Sequence, residues 1–262
     1  MNKIKQVTGA IGRRTIRSSI YLLDLCAFAY RILIQILTHP TVGRRLVSKV
    51  VIEQIYYTAV QALPIIIPAA LIIGTMLIFR FDMLEGQFDF GKTVVFLLVR
   101  EIGPMITALL VILRSATAIT VEISYMQTFH EIDALEMAGL DPLRIVCIPR
   151  LVGITTAILF LFVVFDIVAI VGGYTVVWLT TYISMEGFFS QIGKAITITD
   201  ILVGIIKAMF FGIIITIICL YRGFEKKKLI TQIPVATSKA AVECFFYCLI
   251  VNLFISALFI MT

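Results

Sequence analysis

The chain has 262 residues, of which 60% are hydrophobic and 15% charged, and its mean hydropathy is +1.06. A water-soluble domain carries roughly 45–50% apolar and about 25% charged residues, so the surplus apolar surface has to face lipid and the soluble class is excluded. The formal net charge of +6 reads as cationic loops held on the cytoplasmic side of a membrane, not as a nucleic-acid surface.

Residues 1–50 carry nine Lys or Arg against the single acid Asp24. No short apolar core followed by a small-residue cleavage site begins the chain, so no removable signal peptide is expected. The apolar stretch 20–37 is interrupted by Asp24 and Arg31, and two charges make insertion costly. It reads as an amphipathic helix in the cytoplasmic interface, the alternative being a poor spanning segment. Residues 1–50 therefore read as a cytoplasmic and interfacial N-terminal segment of a single transmembrane domain, 1–262.

Five stretches are long and apolar enough to span: about 55–79, 93–118, 149–180, 200–221 and 240–261. Five spans put the termini on opposite sides. With the N-terminus inside, the inner segments hold the nine N-terminal basics, Arg114, Arg144, Arg150, Arg222, Lys226, Lys227, Lys228 and Lys239. The outer loops hold Arg80, Lys92 and Lys194, mixed with Asp82, Glu85, Asp89 and Glu186. That asymmetry selects a cytoplasmic N-terminus and a periplasmic C-terminus. Pro64 and Pro68 in the first span and Gly103-Pro104 in the second predict kinks, because a proline cannot donate to the carbonyl four residues back. Such breaks persist in a bilayer only where protein or trapped water satisfies the backbone. The five cysteines show no zinc or disulfide spacing; Cys244 and Cys248 share a helix face and read as small apolar residues against a neighbour.

Between the second and third spans lies RSATAITVEISYMQTFHEIDALEMAGLDPLRIVCIPR, residues 114–150. Thr128 to Glu131 fits the S/T-x-x-E capping box, Gly139 supplies a left-handed stop, and Asp141-Pro142 prevents continuation. These bracket a helix of about ten residues, too short to span. It reads either as a rigid docking element for a soluble partner or as an ordinary helix on the membrane surface.

The runs Glu101-Ile-Gly-Pro104 and Thr107-Ala-Leu-Leu-Val, with Ala118, Glu122 and Met126, then Glu131-Ile-Asp-Ala-Leu-Glu136 and Gly139-Leu-Asp-Pro142 through Pro149-Arg150, resemble the core signature of MlaE-like permeases. These are the membrane subunits of Mla and Mce-associated ABC lipid transporters. The resemblance implies an all-α membrane fold, with an N-terminal interfacial helix, five transmembrane helices and a short cytoplasmic coupling helix at 126–142. It further implies a homodimer in the bacterial inner membrane and a cytoplasmic ABC ATPase that binds the ATP and magnesium. A periplasmic MCE-domain ring and, in many members, a small cytoplasmic regulatory subunit are also implied. The coupling residues would be Glu131, Asp133, Leu135, Glu136, Met137, Gly139, Asp141 and Pro142. Leu113, Ala116 and Ser124 stand where the family pattern has glycines, and His130-Glu131 stands where it has Glu-Gln.

Charges inside spans are costly and point to function; here they are Arg100, Glu101, Arg114, Glu122, Asp166, Lys207 and Glu243. Arg114 and Glu122 fall near the cytoplasmic end, as anchors or partners. Glu101 and Lys207 fall at similar depth below the outer ends of their helices, within pairing distance. Arg100 is placed to join them or to meet a lipid phosphate. This group reads either as the wall or gate of a lipid pocket or as a structural ion pair. Leu71, Leu77 and Ile78 are candidates for an acyl-chain wall. The chain has no phosphate loop and no recognisable catalytic or metal-binding set, so it reads as a non-enzymatic subunit without cofactor or metal of its own. The alternative function is a self-contained proton-coupled carrier or channel, with Glu101, Asp166 and Lys207 as a relay.

Overall fold

The computed structural model describes residues 16, 19–35, 44–82, 96–181, 196–225, 227 and 229–260. The expected outer-loop charges Glu85, Asp89, Lys92, Glu186 and Lys194, and the basic run before Ile16, lie outside the described residues. Within them the chain is helical throughout, without a strand. We number the helices α1 (19–35), α2 (Arg44–Thr58), α3 (Leu63–Asp82), α4 (Phe96–Thr128), α5 (Glu131–Met137), α6 (Leu143–Val176), α7 (Ile198–Phe224) and α8 (Ile233–Ile260).

Five segments are long and apolar enough to cross a bilayer: Ser48–Arg80 (α2 with α3), Phe96–Thr128, Leu143–Val176, Ile198–Phe224 and Ile230–Phe259. They are the five expected spans, but several run past the expected ends, most of all the second, which continues to Thr128, and the last, which begins at Ile230. A helix satisfies its own backbone, so it need not stop where the hydrocarbon stops. Helix α7 is the central post, packing against α4, α6 and α8, while α2 lies on the N-terminal part of α6 and α3 on its C-terminal part. Two glycines let α3 and α6 touch: a Cβ on Gly74 would sit 2.1 Å from the Ala169 carbonyl oxygen, and one on Gly173 would sit 2.6 Å from the Gly74 backbone. Small residues at such contacts are the usual route to close packing in lipid, where no hydrophobic force draws helices together.

The expected kinks take specific forms. A 3₁₀ turn at Val60–Ala62 separates α2 from α3 just ahead of Pro64, whereas Pro68 is carried inside α3 without ending it. Phe96–Ile102 is wound as a π-helix up to Gly103-Pro104. Pro104 cannot donate to Arg100 O, and the wider coil relieves its ring from that carbonyl.

Helix α1 lies against the C-terminal end of α7 and the N-terminal half of α8. Phe28 packs on Tyr221 and Phe224, and Tyr21 meets Tyr221 edge-on. Arg222 forms a bidentate pair with Glu243, and also reaches Glu225 at 3.1 Å. The Tyr21 hydroxyl donates to Glu243 at 2.8 Å, with the Arg222 guanidinium over its ring. Burial, and then the Glu243 contact, raises the Tyr21 hydroxyl above its ordinary range, so it remains a donor. Cys244 and Cys248 are fully buried as expected, Cys244 lying 3.7 Å from Cys219 of α7.

Candidate functional site

The π-helical opening of α4 places Arg100 and Glu101 against α7 and α8. Lys207, fully buried on α7, brings its Nζ to 2.9 Å from Glu101 Oε2, 2.8 Å from Arg100 O and 2.7 Å from Ser256 Oγ. An ammonium has three hydrogens, and here each has an acceptor. One of those acceptors is the carbonyl that Pro104 cannot serve. A buried ammonium otherwise costs several kcal/mol, about what close pairing and full hydrogen bonding can return. Glu101 also accepts from Ser256 Oγ at 2.8 Å and from Asn252 Nδ2 at 3.2 Å, which ties three spans into one polar knot.

The sequence analysis anticipated Glu101 opposite Lys207 but not Ser256 and Asn252. Both lie on the last span, one turn apart, and only the i, i+4 spacing of two polar residues in an apolar run hinted at them. The Arg100 side chain does not join the pair. It turns outward, to 3.8 Å from Asp200 Oδ1 at the start of α7, with its guanidinium over Phe96 at 5.2 Å. Its Nε and Nη2 are buried without a protein acceptor. Asp200 also accepts from the Thr197 backbone N–H at 3.3 Å, which caps α7.

Asp166 lies apart from this knot. It packs against Gly103, where a Cβ would fall 2.3 Å from its Oδ1, and that oxygen has no hydrogen-bond partner. The three Lys207 hydrogens go to Glu101, Arg100 O and Ser256, and none reaches Asp166.

Of the acyl-wall candidates, Leu71 lines an outward-facing cavity of about 470 Å³ with Ile72, Thr75, Met76, Phe79 and Val176. Ile78 is fully buried and Leu77 packs into the core. Ile78, seven residues on from Leu71, shares its side of α3 but lies deeper in the packed core, so the wall of the cavity takes only Leu71 of the three.

At the other end of α4 from the Lys207 knot, α5 spans Glu131–Met137, shorter than expected. Its capping box does not form. The Thr128 hydroxyl donates back to Ser124 O at 2.7 Å, and the chain turns through His130 at φ 58°. The His130 ring contacts Asp133 at 2.6 Å. Thr128 is still inside α4, where back-bonding to the carbonyl four residues earlier competes with capping the next helix. The stop is as read from the sequence: Gly139 (φ 76°) donates to Glu136 O and Leu140 to Leu135 O, a complete Schellman motif. Asp141 and Pro142 do more than block α5; Asp141 Oδ1 accepts the Leu143 N–H at 3.0 Å, so they begin α6. Gln35 of α1 also reaches Asp141. Along α5, Ile132 is buried and Leu135 packs on the core, whereas Glu131, Glu136 and Met137 face outward. Glu122 pairs with Arg150 at 2.7 Å, and Arg114 instead bonds Tyr57 O and Gln61.

With this geometry in hand, the chain was compared with known proteins. The profile of the family described as Permease MlaE matches residues 51–258. An intermembrane phospholipid transport system permease protein from Haemophilus influenzae is 32% identical over 198 residues, covering 73% of this chain and 76% of that one. A probable ABC transporter permease protein from Rickettsia felis is 26% identical over 257 residues, 97% of each chain. A similarly named protein from Pyropia yezoensis is 26% identical over 209 residues, covering 78% of this chain and 80% of that one.

Proposed function

The chain belongs to the MlaE permease family, and on that premise we propose that it is the membrane half of an ATP-driven transporter that moves phospholipid. The observation that carries this reading is the Lys207–Glu101–Ser256 knot, with Arg100 beside it, inside a five-span chain whose residues 51–258 match the permease family. Arg100 keeps Nε and Nη2 free of protein acceptors, and a guanidinium suits phosphate oxygens. In this reading the headgroup lies near Arg100 and the acyl chains follow the apolar cavity beside Leu71. The bare lipid-facing side of α8, with Phe246, Ile250, Leu253 and Phe254 exposed, supports pairing with a second copy.

The N-terminus is cytoplasmic and the C-terminus periplasmic, from the charge asymmetry of the segments. On that orientation α5 faces the cytoplasm, and its exposed Glu131, Glu136 and Met137 are the surface offered to the separate ATPase. A rigid α5, stopped by Gly139 and joined directly to α6 through Asp141-Pro142, passes motion of that partner into the third span. A periplasmic MCE-type ring is the proposed receiver or donor of lipid.

The test is copurification of the tagged chain from its own membranes, with subunits and lipids identified by mass spectrometry. An ATPase and co-eluting phospholipid are expected, with ATP-dependent lipid movement in proteoliposomes. Arg100→Gln should slow that movement while the complex stays assembled. Proton-driven flux from the chain alone, without an ATPase, would overturn the reading.

A further inference from the structure

A second polar recess lies far from the Lys207 knot, between the α2–α3 break and the inner half of α4. It has a volume of about 280 Å³; Gln54, Tyr57, Gln61, Arg114, Ala118 and Glu122 are among the residues that line it. The 3₁₀ turn frees the Tyr57 carbonyl, and Arg114 Nη1 takes it at 2.8 Å while Nη2 holds Gln61 Oε1 at 2.9 Å. Arginine has five N–H groups, so three remain for the recess. Among the described residues no carboxylate forms an ion pair with Arg114, since Glu122 is held by Arg150.

Depth identifies the ligand. Arg114 is 18 residues after Phe96 in α4 and Gln61 is 19 residues before Arg80 in the neighbouring span, roughly 27–29 Å along the helices. That is close to the full thickness of a hydrocarbon core of about 30 Å, so both residues sit at the inner headgroup boundary. Tyr56 and Tyr57, both more than half exposed, mark the same boundary as interfacial aromatics. Beyond the recess, toward the bilayer centre, the surface turns apolar at Val60, Ile65 and Leu113.

We infer that this recess binds the phosphate of a phospholipid from the cytoplasmic leaflet, with its acyl chains lying along Val60, Ile65 and Leu113. The site is distinct from the outer knot and rests on the orientation proposed above. It neutralises an arginine that would otherwise stand unpaired at the edge of the hydrocarbon.

The experiment uses the full chain in phosphatidylcholine nanodiscs doped with a headgroup-photoactivatable phospholipid. No ATPase or transport is involved, so its failure leaves the permease reading standing, and a failed transport assay leaves this site untouched. Label is expected on peptides holding residues 54–61 and 114–122. Arg114→Gln should reduce it about tenfold, the scale of one charge-assisted contact, while Arg114→Lys retains most of it. Ala118→Phe, which keeps the arginine but fills the recess from one turn away, should also remove the label. The assignment is overturned by undiminished labelling in a folded Arg114→Gln protein or in Ala118→Phe. It is equally overturned by competition from millimolar inorganic phosphate, which would make a free anion the ligand, or by efficient Tyr57→Cys cross-linking between two copies in place of lipid label.

Discussion

Lys207 is the residue on which the outer half of the bundle turns. It has no exposure, its three hydrogens are all accepted, and one acceptor exists because Pro104 lacks a donor. Removing the ammonium alone leaves Glu101 charged and half-sheltered, so Lys207→Met should destabilise the protein by about 3–5 kcal/mol. The double variant Glu101→Gln/Lys207→Met should recover much of that loss, because no uncompensated charge remains. Thermal unfolding of the purified variants reads both. If the single and double variants melt together, the pair contributes nothing to stability. The pairing was legible in the sequence because helical rise converts residue number to depth, and equal depth is all that two opposite charges on neighbouring spans require. The turn of Arg100 toward Asp200 was not legible, since which way a side chain rotates about its helix depends on which neighbour arrives there.

For the short inner helix, start and stop have different legibility. Gly139 at φ 76° meets nothing within 4 Å of an added Cβ, so Gly139→Ala should cost only the left-handed strain, about 1–2 kcal/mol. Thr128→Ala should cost little, under about 0.5 kcal/mol and well below the roughly 1 kcal/mol of a working cap, because the hydroxyl bonds back into α4 and not forward to α5. Chemical denaturation of the two variants distinguishes a used cap from an unused one. A glycine stop is readable because only glycine enters that backbone region freely. A capping box is a weaker sign, since the same hydroxyl has a competing carbonyl one turn behind it.

Across the whole molecule, two interfaces hold the architecture, and each admits a test. The α3–α6 contact depends on Gly74 and Gly173, and a Cβ on Gly74 would overlap backbone. Gly74→Val should therefore force the two spans apart and cut the yield of folded protein several-fold, measured by size-exclusion chromatography of membrane extracts; a normal yield would mean that the spans can separate without penalty. The N-terminal helix α1 is held to the α7–α8 pair by Tyr21, Arg222 and Glu243. Glu243→Gln should loosen it, seen as faster hydrogen exchange across 19–35 with the five spans left intact.

The sequence by itself determined that this is a helical membrane protein of five spans with a short acidic helix at one end. Hydropathy, proline and glycine are local signals, and a bilayer leaves helices almost no alternative backbone. Tertiary structure alone decided the rest: that Ser256 and Asn252 complete the Lys207 knot, that Glu122 takes Arg150 and leaves Arg114 to a recess, and that α1 docks on Arg222 and Glu243. Each of these depends on the rotation of one helix against another. That rotation is set by packing at residues such as Gly74 and Gly173, and apolar runs that look alike on every face do not encode it one segment at a time.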